Sequence, residues 1–210
     1  MTAGRPAAVV FDFGGVISNM RWDIAHQLEA EHGLPRGAIY TTLYGSDTWR
    51  EVECGRGDRE AWLAEAHAVL ETTAGRSLPP LHARWRERQG PILENVALVR
   101  ALRGTYRVSI LSNADRTLRE RLRNGLRILD LFDDVVCSAE VGYAKPDPEI
   151  YALACRRLGL PGPACVFVDD HEPNVTAAVA AGMRGVLYRV DRGDDLRGLL
   201  AGVDVAIKEG

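Results

Sequence analysis

The sequence predicts an α/β fold: a Rossmann-like parallel sheet core with helices on both faces, carrying an inserted small α-helical cap domain. Short β-rich apolar runs alternate with helix-length amphipathic segments over most of the chain, as in strands joined by right-handed crossover helices. The segment from about Ser18 to Gly90 breaks that alternation with Ala, Leu, Glu, Arg and Trp at helical spacing and no clear strand-like run. With 46% hydrophobic residues among 210, the chain can bury a substantial core. The expected division is residues 1–17 and 91–210 for the sheet domain and 18–90 for the cap.

The elements follow in order. Ala7-Ala8-Val9-Val10-Phe11 reads as a buried first strand that ends at Asp12 and opens into Phe13-Gly14-Gly15. In the insertion, Trp62-Leu63, Ala66 and Val69-Leu70 keep a helical period. Breaks fall at Gly33-Leu34-Pro35, Gly55-Arg56-Gly57-Asp58 and Leu78-Pro79-Pro80. From Pro91 the alternation resumes. Ile92, Val96, Val99 and Leu102 line a helix, Tyr106 to Leu111 a strand, Leu118 and Leu122 a helix, and Val135-Val136-Cys137 a strand. Ile150, Leu153, Ala154 and Leu158 mark another helix and Ala164 to Val168 a strand. Val175, Ala178 and Val179 mark a last helix and Val186-Leu187-Tyr188 a last strand.

Composition narrows the function. A net charge of -3 advertises neither nucleic acid nor an anionic membrane as a partner. The Arg-rich stretches Arg116 to Arg127 and Arg84-Trp85-Arg86 are interrupted by Leu or Glu and read as solvated helix faces. Cys54, Cys137, Cys155 and Cys165 form no metal-ligand or C-x-x-C spacing, which suits free thiols in a reducing cytoplasm. No apolar run reaches membrane-spanning length and no signal peptide is apparent, so a cytoplasmic monomer or homodimer is expected.

The strand ends carry the chemistry. Asp12 is a carboxylate at the rim of the sheet, where open α/β folds bind ligands; its plainer alternative is a cap for the following turn. Ser112-Asn113 brings a hydroxyl and an amide to the same edge, or simply caps the next helix. Lys145, in Ala144-Lys145-Pro146-Asp147, brings an ammonium, unless it is a surface lysine. Asp169-Asp170 ends another buried strand, followed by His171 and Asn174. Two adjacent acids there repel each other unless a metal or Lys145 supplies the counter-charge. Nucleophile, cation and oxygen ligands for a hard metal are the parts phosphoryl transfer needs.

Taken together, Asp12-Phe13-Gly14-Gly15-Val16, Ser112-Asn113, Lys145-Pro146 and Asp169-Asp170 with Asn174 resemble, in order, the four short motifs of the haloacid dehalogenase-like hydrolases, in the branch with a helical cap after the first strand. The resemblance covers the sheet domain well and the cap by position only. It implies a phosphatase acting on a small phosphorylated molecule. Asp12 would attack phosphorus to give an aspartyl-phosphate, with Phe13 and Gly14 beside the phosphate. Ser112 and Asn113 would contact the transferring group, and Lys145 would pair with Asp12 and the phosphate. Mg²⁺ would be held by Asp12, the Gly14 carbonyl and Asp170, with Asp169 as ligand or support and Asn174 behind.

One position departs from the family pattern. Most phosphatases of the family carry a second aspartate two residues after the nucleophile, as general acid and base; here that residue is Gly14. Such a group contributes about 10²–10⁴-fold in rate. Three readings follow. The protein is a phosphatase whose leaving group is acidic, such as a sugar anomeric oxygen, or which uses Asp115, His171, Asp23 or His26 instead. It is a 2-haloacid dehalogenase, although family dehalogenases lack the acidic pair. Or it binds phosphorylated ligands or a partner with little turnover. In the cap, Trp22, Trp49, Arg50 and Arg56 are the candidate specificity residues, with the Gly55-Arg56-Gly57 turn reaching toward the site.

Overall fold

A computed structural model describes residues 4–207. In chain order the strands are β1 (Ala8–Phe11), β2 (Ser18–Asn19), β3 (Gly90–Pro91), β4 (Arg107–Ser112), β5 (Asp134–Cys137), β6 (Cys165–Asp169) and β7 (Arg184–Leu187). Five of them form one sheet in the order β5-β4-β1-β6-β7, with every adjacent pair parallel. Val9 and Phe11 of β1 join the core on one face with Val108 and Ile110. Ala8 and Val10 join the other with Leu111 and Phe167. Successive residues point to opposite faces of a strand, so both faces are covered, and strands buried on both sides read as continuous apolar runs.

The helices between β2 and β3 are α1 (Trp22–His32), α2 (Ala38–Tyr44), α3 (Asp47–Glu53), α4 (Arg59–Ala74) and α5 (Leu81–Arg86). They pack around Trp49, Trp62, Trp85, Leu43 and Leu70 in a core of their own. Ends follow the local chemistry: α1 stops at Gly33 in the left-handed conformation, and Asp58 caps α4 through Ala61 N at 2.8 Å. The antiparallel pair of β2 with β3 joins the two ends of this insertion. Two residues each are too few for a sequence pattern, so no strand was expected there.

The remaining helices are α6 (Leu93–Leu102), α7 (Leu118–Glu120), continued by a π-helical turn Arg121–Gly125, α8 (Ser138–Val141), α9 (Pro148–Leu158), α10 (Glu172–Ala180) and α11 (Leu196–Ala201). Strand boundaries shift slightly from expectation: β4 begins at Arg107, and β7 covers Arg184–Leu187 rather than Val186 to Tyr188. Among the described residues no helix is long and apolar enough to cross a membrane.

Sheet order fixes the site. The neighbours of β1 are β4 on one side and β6 on the other, so the connections diverge at its carboxyl end. That is the switch point at which open sheets form a crevice. Asp12 is the next residue.

Candidate active site

Register brings the chemistry together. Phe11 pairs with Ile110 and with Val168, so Asp12 and Asp169 leave neighbouring strands at the same level, and Asp12 N donates to Val168 O at 2.8 Å. Lys145 Nζ, buried, lies 2.8 Å from Asp12 Oδ1 and 2.6 Å from Asp169 Oδ2. Burial alone would pull the lysine down, but the two carboxylates outweigh it and hold the ammonium above its ordinary range. Asp12 Oδ1 is at ion-pair distance yet has no aligned hydrogen-bond donor among the described residues. Burial first, then Asp169, raises the Asp12 carboxyl against the pull of Lys145.

Asp169 is fully occupied. It accepts from Lys145 Nζ, from His171 N at 2.8 Å and from Asn174 Nδ2 at 3.1 Å. Among the described residues Asp170 has no such side-chain ties, and its carboxyl lies against Gly15. Its carboxyl is pushed up to about 7 by burial, then by Asp12 and Asp169. Gly15 has φ +76, and a β-carbon there would run into Asp170 Oδ2, so only glycine lets the backbone pass. Oxygens of Asp12, Asp169 and Asp170 lie within 4.8 Å of one another. Three carboxylates against one ammonium leave a surplus of negative charge among hard oxygen donors. That donor set fits a divalent cation such as Mg²⁺.

Ser112 ends β4, buried at the same rim. Asn113 is spent on support: it accepts from Lys145 N at 2.7 Å and donates to Lys145 O at 2.8 Å, bracketing the lysine. Phe13 is buried, so only its backbone can meet a ligand. All of these residues line one cavity of about 480 Å³ that extends from the sheet edge beneath the cap.

Gly14 is filled in. A β-carbon at this position would stand 3.2 Å from Met20 Sδ, so the thioether crowds the space a side chain here would enter. Met20 is itself held, because Trp85 Nε1 donates to its carbonyl at 2.6 Å. Of the substitutes considered, Asp115 lies in the cavity, but Thr117, Arg59 and Arg86 outweigh its burial and hold it below the carboxylate range, so it is a poor acid. Asp23 pairs with Arg21 and His26 with Glu29, and both line a neighbouring cleft instead. His171 reaches the cavity, exposed.

In the cap, Trp22, Trp49 and Arg50 line the cavity; Trp22 also stacks on Trp85 and Trp49 packs at a tilt against Trp62, each with ring centroids 4.7 Å apart. Arg56 does not: it pairs with Glu51 at 2.9 Å, on the surface. Its turn rests on the sheet domain, where Arg116 Nη2 donates to Gly55 O at 3.2 Å. The reach of the turn is therefore structural.

Residues that the sequence reading passed over complete the cavity: Met20, Tyr44, Glu53, Arg86, Gln89 and Arg121. Glu53, the last residue of α3, meets Asn113, and burial pushes its carboxyl up to about 7. Arg86 and Arg121 correct the expectation of solvated faces, since both turn inward. The available signal was spacing: Leu118, Arg121 and Leu122 share one helical stripe, as do His82 and Arg86.

A carboxylate, lysine and acidic pair at the switch point of a parallel sheet, beneath an inserted cap, define a hydrolase site of the phosphoryl-transfer type. Residues 6–182 match the family model for haloacid dehalogenase-like hydrolases, and the chain belongs to that family of enzymes. It is 37% identical over 214 residues to Phosphatase MT3486 of Mycobacterium tuberculosis, covering 91% of this chain and 90% of that one. It is 28% identical over 183 residues to the sesquiterpene phosphatase astK of Aspergillus oryzae, covering 85% and 88%. Its fold is similar to that of a haloacid dehalogenase family enzyme from Bacteroides thetaiotaomicron in complex with magnesium and inorganic phosphate (TM-score 0.70, 21% identity, 92% and 98% covered). It is also similar to that of an L-2-haloacid dehalogenase, PA0810 (TM-score 0.66, 23% identity, 97% and 92% covered).

Proposed function

We propose that this hydrolase is a Mg²⁺-dependent phosphatase that cleaves a small phosphorylated metabolite through an aspartyl-phosphate on Asp12. Residues 1–17 and 91–210 form the catalytic unit and 18–90 its cap. One observation carries the reading: Asp12, Lys145, Asp169 and Asp170 converge at a single rim, with three carboxylates to one ammonium.

Asp12 Oδ1, buried and without an aligned donor, is the nucleophile that forms the bond to phosphorus as the ester oxygen leaves. Lys145 neutralises charge on the transferring group and keeps Asp12 ionised. The Ser112 hydroxyl and the backbone after Asp12 hold the equatorial oxygens. Asn113 positions Lys145, and Asn174 positions Asp169. Asp12, the Gly14 carbonyl and Asp170 would hold Mg²⁺, which when bound supplies the positive charge that the carboxylates lack. Water then cleaves the aspartyl-phosphate, releasing inorganic phosphate and restoring Asp12.

With no acid at Gly14, the leaving oxygen receives its proton from farther away. Glu53, half protonated near neutral pH at the cap wall, is the donor best placed to give it. Leaving groups more acidic than an ordinary alcohol, sugar anomeric oxygens among them, suit such a site.

The dehalogenase reading draws on the missing acid at Gly14 and on the fold likeness. Against it, halide departure needs no metal, and the Asp12–Asp169–Asp170 crowding would then stand uncompensated. Phosphate release from a panel of sugar phosphates, with Mg²⁺ and with EDTA, tests the proposal. Metal-dependent turnover is expected; metal-independent halide release from 2-haloacids without phosphatase activity would replace it.

A further inference from the structure

Besides the acidic rim, the cavity has a cationic lining that hydrolysis of a simple monoester does not use. Arg86 and Arg121 both line it, one from the cap helix α5 and one from the sheet domain, and neither is exposed. Asp115 is the carboxylate at this wall, and it is shared: Arg59 Nε lies 3.2 Å and Arg86 Nη1 3.9 Å from its Oδ2. Among the described residues Arg121 has no carboxylate partner. Arg59 and Arg86 therefore share one carboxylate, and Arg121 adds a third guanidinium to the neighbourhood.

Burying an unpaired cation is costly, and two cations side by side add repulsion. Burial and the nearby Arg86 depress Arg121, yet it remains a cation, because guanidinium holds its proton far above neutrality. The aromatic contacts do not replace an anion. Arg121 Cζ lies 4.9 Å from the Phe13 ring centroid and Arg86 Cζ 5.7 Å from that of Trp62. Such contacts supply no acceptor, so the guanidinium N–H donors remain available to an anion. The Tyr44 hydroxyl, near Arg86, adds a polar group to the same cavity. Arg121 packs on Phe13, the residue after the nucleophile, and both arginines line the cavity that holds Asp12, within reach of the leaving portion of a substrate bound there.

We propose that Arg86 and Arg121 form a second anion subsite, which takes a carboxylate or a further phosphate on the leaving portion of the substrate. The proposal rests on the phosphatase reading and narrows it: the substrate carries two anionic groups, one at the rim and one at the arginines.

Matched pairs test it. Glycerol 3-phosphate against 3-phosphoglycerate varies a carboxylate, and glucose 1-phosphate against glucose 1,6-bisphosphate varies a phosphate. Binding is read by calorimetry with Mg²⁺ in Asp12→Asn, so that no turnover is required, and kcat/KM is read in the wild type. The doubly anionic member is expected to bind more tightly in at least one pair, and the pair that responds identifies the second group. Adding Arg121→Met should cut that preference about 10- to 100-fold, the worth of a charge-assisted hydrogen bond. Arg121→Lys, which keeps the charge, should retain part of it. Equal affinity within both pairs, or a preference that survives Arg121→Met, overturns the subsite. Absence of phosphate release from every compound with the preference intact would instead overturn the phosphatase reading and leave an anion-binding site standing.

Discussion

The two walls of the cavity were built under different rules. At the sheet edge, position follows from topology: Asp12, Ser112 and Asp169 each end a buried parallel strand, and the register of β1 with β4 and β6 sets them at one level. The wall toward the cap is made of Met20, Tyr44, Glu53 and Arg86 from separate cap elements, with Arg121 from the sheet domain. None of these is marked by a strand end, and only Arg86 and Arg121 carry a helical spacing, to His82 and to Leu118. The proposed reacting residues are carried by a lattice of backbone hydrogen bonds, whereas the facing side chains meet only as a small helical unit seats them.

The largest effect expected belongs to the first wall. Asp12→Asn removes the nucleophile and should lower kcat by at least about 10³-fold, measured by phosphate release. Gly15→Ala combines a left-handed backbone with a β-carbon in the space of Asp170. Activity should fall at least about 10-fold with weakened Mg²⁺ binding, read by calorimetric titration.

The next variant crosses between the walls. Gly14→Asp with Met20→Ala restores an acid and clears the thioether that fills its space. Turnover of esters with poor, alcohol-like leaving groups should rise by up to about 10²-fold, with little change for acidic leaving groups. Gly14→Asp alone, with the Met20 thioether still against the new side chain, should gain less.

The smallest effect concerns Glu53. Its carboxyl is raised from 4.5 to about 7 by burial, so its neutral form favours the folded cap contact. That contribution is fully present below about pH 4.5 and is lost as pH rises through about 7. Glu53→Gln stays neutral, so its melting temperature should gain on the wild type across this window and the difference should level off above it. The same variant should flatten the fall of kcat on the alkaline side.

Legibility divides along the same line. The sheet, its helices and the order of the strand-end residues could be read from the sequence because apolar runs ending in Asp or Ser have one sensible placement in a parallel sheet. Lys145 was legible from its place before α9, although its bracket by Asn113 was not, since that depends on side-chain contact. Arg121 sits in an arginine-rich helix where neighbouring Arg119 and Arg123 do face outward to different degrees, so composition suggested solvent for all of them. Only its spacing from Leu118 distinguished it. Arg56 misled in the opposite direction: a glycine-flanked arginine suggested a reaching loop, whereas the glycine serves close contact with Ala139 and the arginine pairs locally. Met20 had no signal at all, because the space it fills is defined by a side chain that residue 14 lacks.

Acid-quenched mass spectrometry during turnover of a hydrolysed phosphate ester in Mg²⁺ interrogates the catalytic rim without intermediaries. A transient phosphoryl group on the peptide containing Asp12, absent in Asp12→Asn and after EDTA, is the result expected. Turnover with no phosphorylated peptide, or with the label on another residue, would contradict the assignment of Asp12 as the nucleophile.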